Sequence, residues 1–503
     1  MNIEQVDKES VARVKDFVEK SDGYSLYEQS VHSDGANILA IVRNGINKYL
    51  WIIGGEETEF EGQTVKAGSE TILQCQLDHQ NAKILRSKFD FTNATLIGKT
   101  NSYGFGDRLG NAGPAHLRAV KGTGFKPVLA QQSIRELERT KRTAEEVMDA
   151  ASWSVFQEGY HDGFGADADH LKTTKDIDRM VQAGYTMFTI DPSDFVVNKV
   201  KNMGRDDLEL EFNKLPWKDL KDEPDTFLER MLDSKTELRT GHFITPTKDE
   251  ILEGMVKYGR VIYHTKMMAD YIESSYPDHP AELEVSVDET DAPTTLFEHF
   301  LVAKELNRLG VELVSLAPRF CGDFEKGIDF KGDLDQFREE YIEHLAIADL
   351  FGGYKLSVHS GSDKFSVYEV VGSLKLGAVH VKTAGTSYLE ALRTIAECAP
   401  GFFREIMTFS LKRFNEDKKT YHISANLDEI RNPEEVPEEE LVNFLDDDNA
   451  RQVLHVAYGS VLAGEPPEAK NFKKRLMTKL EENEELHYQN LEKHFDKHLS
   501  PFS

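Results

Sequence analysis

The spacing of apolar residues divides the chain into two patterns that meet near residue 93. Three short apolar runs come first, at residues 37–43, 49–53 and 70–75. The dipeptides Asn44-Gly45 and Gly54-Gly55 stand between them and are typical of tight turns. This pattern predicts an antiparallel, β-rich accessory region at residues 1–92, with a short helix near its start.

From residue 93 to residue 415, apolar runs alternate with amphipathic stretches of helical period. The runs predict eight strands, at residues 95–100, 126–131, 164–170, 185–191, 281–288, 311–317, 354–359 and 378–383. Eight βα units in a stretch of this length are typical of a (β/α)8 TIM barrel, an α/β fold. An open, doubly wound sheet is the alternative, although Gly104 to Gly110 lacks the spacing of a dinucleotide-binding loop.

Two charged, helix-rich segments accompany the predicted barrel. Residues 195–280 separate strands four and five and are far longer than a normal βα connection. They fit a helical side domain near the site, and they fit a simple elaboration of the fold equally well. Residues 416–503 predict an acidic, helical C-terminal extension.

Composition narrows the class of function. The 503 residues include 60 basic and 88 acidic side chains, a formal charge of −28, which argues against nucleic acids and anionic membranes as partners. The three cysteines form no CxxC pair, and neither a signal peptide nor a membrane-spanning run is visible. We therefore expect a cytoplasmic protein with a small-molecule substrate, either monomeric or a homo-oligomer.

Histidines and carboxylates collect at the carboxyl ends of the predicted strands, where barrel enzymes keep their chemistry. His170, His359 and His380 come from three different strands, and Asp169 and Asp191 lie beside them. Imidazoles with a carboxylate suit a divalent metal: zinc first, with manganese, nickel, cobalt or iron as alternatives. Each histidine could instead be an ordinary packed side chain.

Strand five carries carboxylates on one face. Glu284 and Asp288 share that face by the two-residue period, whereas Leu283, Val285 and Val287 occupy the other. Carboxylates on the inner face of a barrel are costly to bury unless they are paired or bound to metal. Further polar residues follow the predicted strands and are candidate substrate ligands: Lys99, Asp107, Arg108, Gln132, Asp191, Arg319, Ser360, Ser362 and Lys382.

Part of this constellation resembles the class II, metal-dependent ketose-bisphosphate aldolases. The resemblance lies in Asp169-His170, residues 188–193, residues 282–291 and residues 358–363. It implies that Asp169 is the catalytic acid/base and that His170 and His359 bind metal. The strand-six metal histidine of those aldolases has no counterpart near Arg319, so His380 or Glu284 would have to replace it.

A second resemblance covers nearly the whole chain. The stretches GADADHLKT, FTIDPSD, EVSVDETDAPT and HSGSDKFSVY are similar to those of the tagaturonate epimerase family. That family interconverts D-tagaturonate and D-fructuronate in bacterial hexuronate breakdown. The resemblance implies an isomerase with a sugar-acid substrate; an aldolase-type lyase and a non-catalytic sugar-binding barrel are the alternatives.

The implied reaction points to carbon–carbon cleavage, because the two ketouronates differ at C4, whose hydrogen the C2 ketone does not acidify. A retro-aldol break of C3–C4, followed by re-addition to the other face of the aldehyde, would invert that carbon. Asp169 would take the C4 hydroxyl proton, with Glu284 or Asp288 serving the opposite face. The carboxylate of the substrate would be bound by cations and loop groups: Arg319, Lys382, Lys99, Ser360 and Ser362.

Overall fold

The computed structural model describes residues 6–54, 57–67, 70–464, 469 and 471–503. The N-terminal part is a small antiparallel sheet between two helices, as expected, although Gly55 of the second predicted turn lies outside the described residues. Its elements are α1 (Lys8–Glu19), β1 (Tyr24–Leu26), β2 (His32–Ser33), β3 (Ile38–Asn44), β4 (Asn47–Ile53), β5 (Gly62–Ala67), β6 (Glu70–Gln76) and α2 (His79–Lys88). The strand order is β1-β3-β4-β6-β5, with β2 paired to β3. Both faces of the sheet are covered by apolar side chains.

The first half of the barrel follows. It consists of β7 (Ser102–Phe105), α3 (Gly113–Val120), β8 (Lys126–Ser133), α4 (Ile134–Thr140), α5 (Ala144–Glu158), β9 (Gly165–Leu171), α6 (Thr174–Gln182) and β10 (Met187–Ile190). Ser133, Thr143 and Thr173 begin α4, α5 and α6 through capping boxes, in which an acidic residue three positions later bonds back to the cap. These caps fix where each helix leaves its loop.

An insertion separates β10 from the next barrel strand. It contains α7 (Arg205–Asn213), α8 (Pro224–Leu232), β11 (Thr236–Glu237), β12 (Phe243–Ile244) and the long helix α9 (Lys248–Ser275). β11 and β12 form a two-stranded antiparallel sheet of their own. The segment that the sequence predicts to be helix-rich therefore also holds a short hairpin.

The second half closes the barrel with parallel strands only. Its elements are β13 (Glu282–Val287), α10 (Leu296–Arg308), β14 (Leu313–Pro318), α11 (Leu334–Leu350), β15 (Lys355–Val358), α12 (Phe365–Leu374) and β16 (Val379–Thr383). The closed order is β10-β13-β14-β15-β16-β7-β8-β9, and every pair is parallel. The predicted (β/α)8 barrel is confirmed, and the doubly wound sheet is excluded.

Helices complete the chain. They are α13 (Thr386–Cys398), α14 (Pro400–Asp417), α15 (Asp448–Val456), α16 (Tyr458–Ala463), α17 (Phe472–Glu482) and α18 (Glu484–Leu499). Most of them share an apolar cluster beside the barrel, while α18 lies against α3 and α13. Within the described ranges, no helix combines the length and the apolar character that a membrane crossing requires.

The first barrel strand is the one strand prediction that was wrong. Residues 95–100 are not a strand; the strand is Ser102–Phe105. The backbone N–H groups of Ile97 and Gly98 instead donate to the carboxylate of Glu282, over 3.1 and 2.8 Å. Glu282 begins β13, so this segment lies across the amino-terminal end of the barrel, remote from the strand ends that carry the site.

Candidate active site

A buried network of charges centred on Lys382 fills the middle of the barrel. The Lys382 ammonium lies 2.7 Å from Asp167 Oδ2, 2.9 Å from Asp169 Oδ1 and 2.7 Å from Glu284 Oε1. Thr189 donates to Asp167 Oδ1 over 2.8 Å. Four strands thus contribute to one lysine-centred cluster, which the two-residue alternation of β9, β13 and β16 directs inward.

One cation cannot neutralise three carboxylates equally. Burial raises the pKa of Asp167 to about 6, although Lys382 opposes the shift. Burial would also raise the pKa of Asp169 and of Glu284, but neighbouring cations outweigh it. His170 and Lys382 hold the pKa of Asp169 well below its usual range. Lys382 and His359 do the same for the pKa of Glu284. Asp169 is therefore ionised at neutral pH.

Two histidines stand above this network. The rings of His170 and His359 have centroids 5.3 Å apart and meet edge to face. His359 Nε2 lies 2.7 Å from Glu284 Oε1, and its Nδ1 lies 3.3 Å from Asp288 Oδ1. His170 Nδ1 lies 3.4 Å from Asp191 Oδ2. Each ring is therefore oriented by carboxylates that come from other strands.

His170 reaches the mouth through an irregular backbone. Its φ is +55°, in the left-handed region that residues other than glycine rarely adopt. The pairing register between β9 and β10 shifts at this point. Strict alternation would turn Asp169 and His170 to opposite faces, and the irregularity brings both to the site; strained backbone of this kind concentrates at functional sites.

The donor set fits a divalent cation. Burial lowers the pKa of His170, but Asp169 and Asp191 outweigh it and raise the pKa to about 9. Burial likewise lowers the pKa of His359, and Asp288 and Glu284 raise it to about 10. The protons that these carboxylates stabilise on the rings are the ones that a bound metal ion would displace. Ligand atoms of His170, Asp191 and Glu289 all lie within 4.8 Å of one another, a spacing that one ion can bridge.

An open cavity of about 750 Å³ lies over these groups at the carboxyl-terminal mouth of the barrel. Asp169, His170, Asp288, His359 and Lys382 lie on its floor. Among the residues that the sequence nominated as substrate ligands, Arg108, Arg319, Ser360 and Ser362 also line it. Glu284 is fully buried beneath the floor, and Asp191 lies behind His170.

Several nominated residues lie elsewhere. Lys99 is at the opposite end of the barrel, where its ammonium donates to the carbonyl of Gly352 over 2.8 Å, because the segment that precedes β7 runs below the barrel. Asp107 accepts from the backbone N–H groups of Leu109, Gly110 and Ala112 and so shapes its own loop. Neither residue lines the cavity.

Gln132 and His380 do not line the cavity either. Gln131, which pairs in register with Asp167, lines the cavity, whereas Gln132 faces the other side of β8. His380 lies one inward position deeper than Lys382 along β16, with Nδ1 2.9 Å from Ser102 Oγ. It does not line the cavity, and the structure places it apart from the group around His170. Lys382 does reach the cavity, but three carboxylates already pair with it.

The cavity has walls that the sequence did not indicate. The loop after β14 contributes Lys326, whose ammonium donates to Ser360 Oγ over 2.5 Å. The C-terminal extension contributes Tyr421, His455 and Tyr458. Lys326 could have been found, because it follows a strand end; nothing in the sequence links the extension to the mouth.

Comparison with known proteins decides the family. The sequence profile of the tagaturonate epimerase family matches residues 27–502. The chain belongs to the tagaturonate epimerase family. A tagaturonate/fructuronate epimerase of Thermotoga maritima is 42% identical over 481 residues, which are 95% of this chain and 96% of the relative. The chain is therefore an enzyme of the isomerase class.

Solved structures agree with the family at the level of the fold. The glycerol-complexed fructuronate-tagaturonate epimerase UxaE from Cohnella laeviribosi is 36% identical, with a TM-score of 0.90 and 99% of each chain covered. The YdjI aldolase from Escherichia coli is 9% identical with a TM-score of 0.32, covering 78% of this chain and 98% of its own, which is too remote to bear on the reaction.

Proposed function

We propose that this enzyme interconverts D-tagaturonate and D-fructuronate by inverting C4 of the ketose, through retro-aldol cleavage and re-addition. The observation that carries the proposal is Asp169, an ionised carboxylate held 2.9 Å from Lys382 on the floor of an open cavity, beside two carboxylate-oriented histidines. The two epimerases named above carry this activity in their names, and each matches nearly the whole length of this chain.

The bond changes balance without an external oxidant. Asp169 accepts the C4 hydroxyl proton, the oxygen electrons form the C4 carbonyl, and the C3–C4 pair moves toward C2 to give an enediolate and an aldehyde. The aldehyde fragment turns over, C3 attacks its other face, and the proton that Asp169 accepted returns to the new C4 oxygen. The C4 hydrogen stays on carbon throughout.

A second group serves the opposite face of the aldehyde, and Asp288 is better placed than Glu284. Asp288 lines the cavity with 22% of its side chain exposed, whereas Glu284 is fully enclosed between Lys382 and His359. Burial raises the pKa of Asp288, but His359 outweighs this and lowers it to about 2. Asp288 is thus the second carboxylate that a turned-over substrate would meet.

His170 and His359, with Asp191, Glu289 or Asp288, would hold a divalent cation at the floor of the cavity. Such an ion would supply Lewis-acid polarisation of the substrate's ketone oxygen. Zinc is the first choice for this mixed nitrogen and oxygen donor set, and manganese, nickel, cobalt and iron are alternatives.

The direct test is to incubate the protein, with its metal content measured, with D-fructuronate and to follow D-tagaturonate by chromatography. We expect interconversion in both directions and loss of activity on chelation. His359→Ala should lower the bound metal as well as turnover, with the far-ultraviolet circular dichroism spectrum unchanged. Full metal content in that variant would remove His359 from the ligand set.

The mechanism is tested by running the reaction in D₂O. Retro-aldol chemistry predicts no deuterium at C4 of the product, while C3 is scored separately because the enediolate can exchange there. Deuterium at C4 in proportion to turnover would contradict cleavage and favour direct proton abstraction. Accumulation of free three-carbon fragments would instead identify a lyase.

A further inference from the structure

One side of the cavity carries nitrogen donors, in contrast to the carboxylates of its floor. Arg108, Lys326 and His455 line it and come from three separate segments: the loop after β7, the loop after β14 and helix α15. Burial, together with the charges of Arg108 and Lys326, holds the pKa of His455 well below its usual range. The three groups are thus electrostatic neighbours, and His455 is a neutral donor among cations.

Two of these side chains are buried with unused hydrogen-bonding atoms. Arg108 is 2% exposed; its Nε donates to Glu136 over 3.0 Å and its guanidinium stacks 3.5 Å from the ring centroid of Tyr458. Its Nη1, and both ring nitrogens of His455, have no hydrogen-bond partner among the described residues. Buried polar atoms left without partners are costly, so these nitrogens need a partner that the described residues do not supply.

The backbone around His455 leaves room for its ring. A Cβ on Gly385 would lie 2.1 Å from His455 Nε2, so a residue other than glycine would displace the imidazole. Gly327, next to Lys326, packs against the same ring. Lys326 itself forms no ion pair with any residue in the described part of the chain, and its ammonium donates to Ser360 Oγ.

We propose that Arg108, Lys326 and His455 form the subsite for the carboxylate of the sugar acid. The proposal rests on the proposed function and extends it, because it names the groups that distinguish a ketouronate from a neutral ketose. A carboxylate there would accept from Arg108 Nη1 and from the protonated ring nitrogen of His455, and it would pair with Lys326. Lys382, the lysine nearest the reacting groups, cannot do this because three carboxylates already pair with it.

The test compares a carboxylate substrate with its neutral counterpart in a variant that removes one charge. Lys326→Met should lower kcat/KM for D-fructuronate by about 10- to 100-fold, mostly through KM, since a charge-assisted hydrogen bond is lost. Turnover of D-fructose, which has a hydroxymethyl group in place of the carboxylate, should change by less than about twofold. Lys419→Met removes a charge from a 64% exposed lysine near the mouth and controls for the overall field.

Binding of an unreactive pair gives a readout that does not need catalysis. We expect the wild-type protein to bind D-gluconate more tightly than D-glucitol by calorimetry, and Lys326→Met and His455→Phe to erase most of that preference. If D-fructuronate is not epimerised but the Lys326-dependent preference for gluconate persists, the result supports the carboxylate subsite and contradicts the proposed function. Normal epimerisation with an unchanged KM in Lys326→Met, or loss of the preference in Arg319→Met instead, would overturn the subsite.

Discussion

The N-terminal sheet and the barrel interior use the same two-residue alternation with opposite contents. In β3, Leu39 and Ile41 face one apolar cluster, and Ala40 and Val42 face another. In β13, Val285 and Val287 pack outward into the apolar layer, whereas Glu284 points into the barrel. The sheet buries hydrocarbon on both faces, and the barrel buries charge at its centre.

This difference separates what holds the molecule together from what it does. Apolar burial in the sheet stabilises the fold at roughly 25 cal/mol per Å². The charges around Lys382 must be desolvated, and their mutual attraction offsets that cost without a clear surplus. A barrel selected for stability alone would hold branched aliphatic residues here, so the charged interior is best explained by chemistry.

The largest effect should come from the floor of the cavity. Asp169→Asn removes the proposed proton acceptor while keeping its shape, and we expect turnover of D-fructuronate to fall by about 10²–10⁴-fold with metal content retained. Steady-state kinetics and metal analysis measure this. Asp22→Asn, at an exposed position of the N-terminal region, is the matched control; an Asp169→Asn enzyme within a few-fold of wild type would move the base to Asp288.

Removing the central cation should damage stability as well as activity. Lys382→Met leaves Asp167, Asp169 and Glu284 buried without their shared counter-charge, and we expect the free energy of unfolding to fall by about 3–5 kcal/mol in urea titrations. Adding Asp167→Asn should restore part of the loss, because the carboxylate with the highest pKa of the three is then already neutral. A fully stable single variant would show that the charges are solvated.

A substitution in the N-terminal sheet should lower stability without lowering activity. Leu39→Ala empties a fully buried position, and we expect the free energy of unfolding to fall by about 2–4 kcal/mol through lost burial and a cavity. Turnover per folded molecule should stay at the wild-type level, since no titratable group is touched. Leu210→Ala, at a 53% exposed site, should cost about 0.5 kcal/mol or less; a change in kcat for Leu39→Ala would break the contrast.

The outer layer of the barrel should show the smallest effect, as a pH dependence. His344 Nδ1 lies 2.8 Å from His299 Nδ1, and burial lowers the pKa of His344 to about 4 from an ordinary 6.5. The unfolded chain therefore binds protons first as pH falls, and stability is lost between pH 6.5 and pH 4. From pH 7 to pH 5 we expect the urea-unfolding free energy to drop by roughly 2 kcal/mol from this group. His344→Asn should remove this contribution to the pH dependence, and His242→Asn, at an exposed position, should leave the pH dependence unchanged.

Local pattern was sufficient for most strands but failed for the first. Residues 95–100 include β-branched and apolar residues that are typical of a strand. The N–H groups of Ile97 and Gly98 nevertheless donate to the carboxylate of Glu282 in β13. The true strand, Ser102–Phe105, is four residues long and contains a glycine, so its pattern is weak. Pairing partners that are distant in sequence override propensity in such a case.

Because the carboxyl ends of the barrel strands meet at one mouth, the sequence predicted that Asp169, His170 and His359 lie there, and the structure confirms that location. The sequence could not predict the backbone irregularity that turns His170 toward Asp191, because a positive φ at a histidine leaves no mark in the sequence. Alternation says which face a residue occupies but not how deep it lies, and His380 lies deeper than Lys382, next to Ser102.

The sequence by itself determined the barrel, the family resemblance and the types of side chain at the strand ends, because period and composition are local properties. Only the tertiary structure decided which cations are already paired. Asp169 and Lys382 are 213 residues apart in the sequence. Because they pair, Lys382 is not free to bind the substrate, although the sequence had predicted that it would. Lys326 and His455, which no local pattern distinguishes, line the cavity because loops and helices from distant parts of the chain meet over its mouth. The partner of a long, charged side chain is set by the packing of the whole chain.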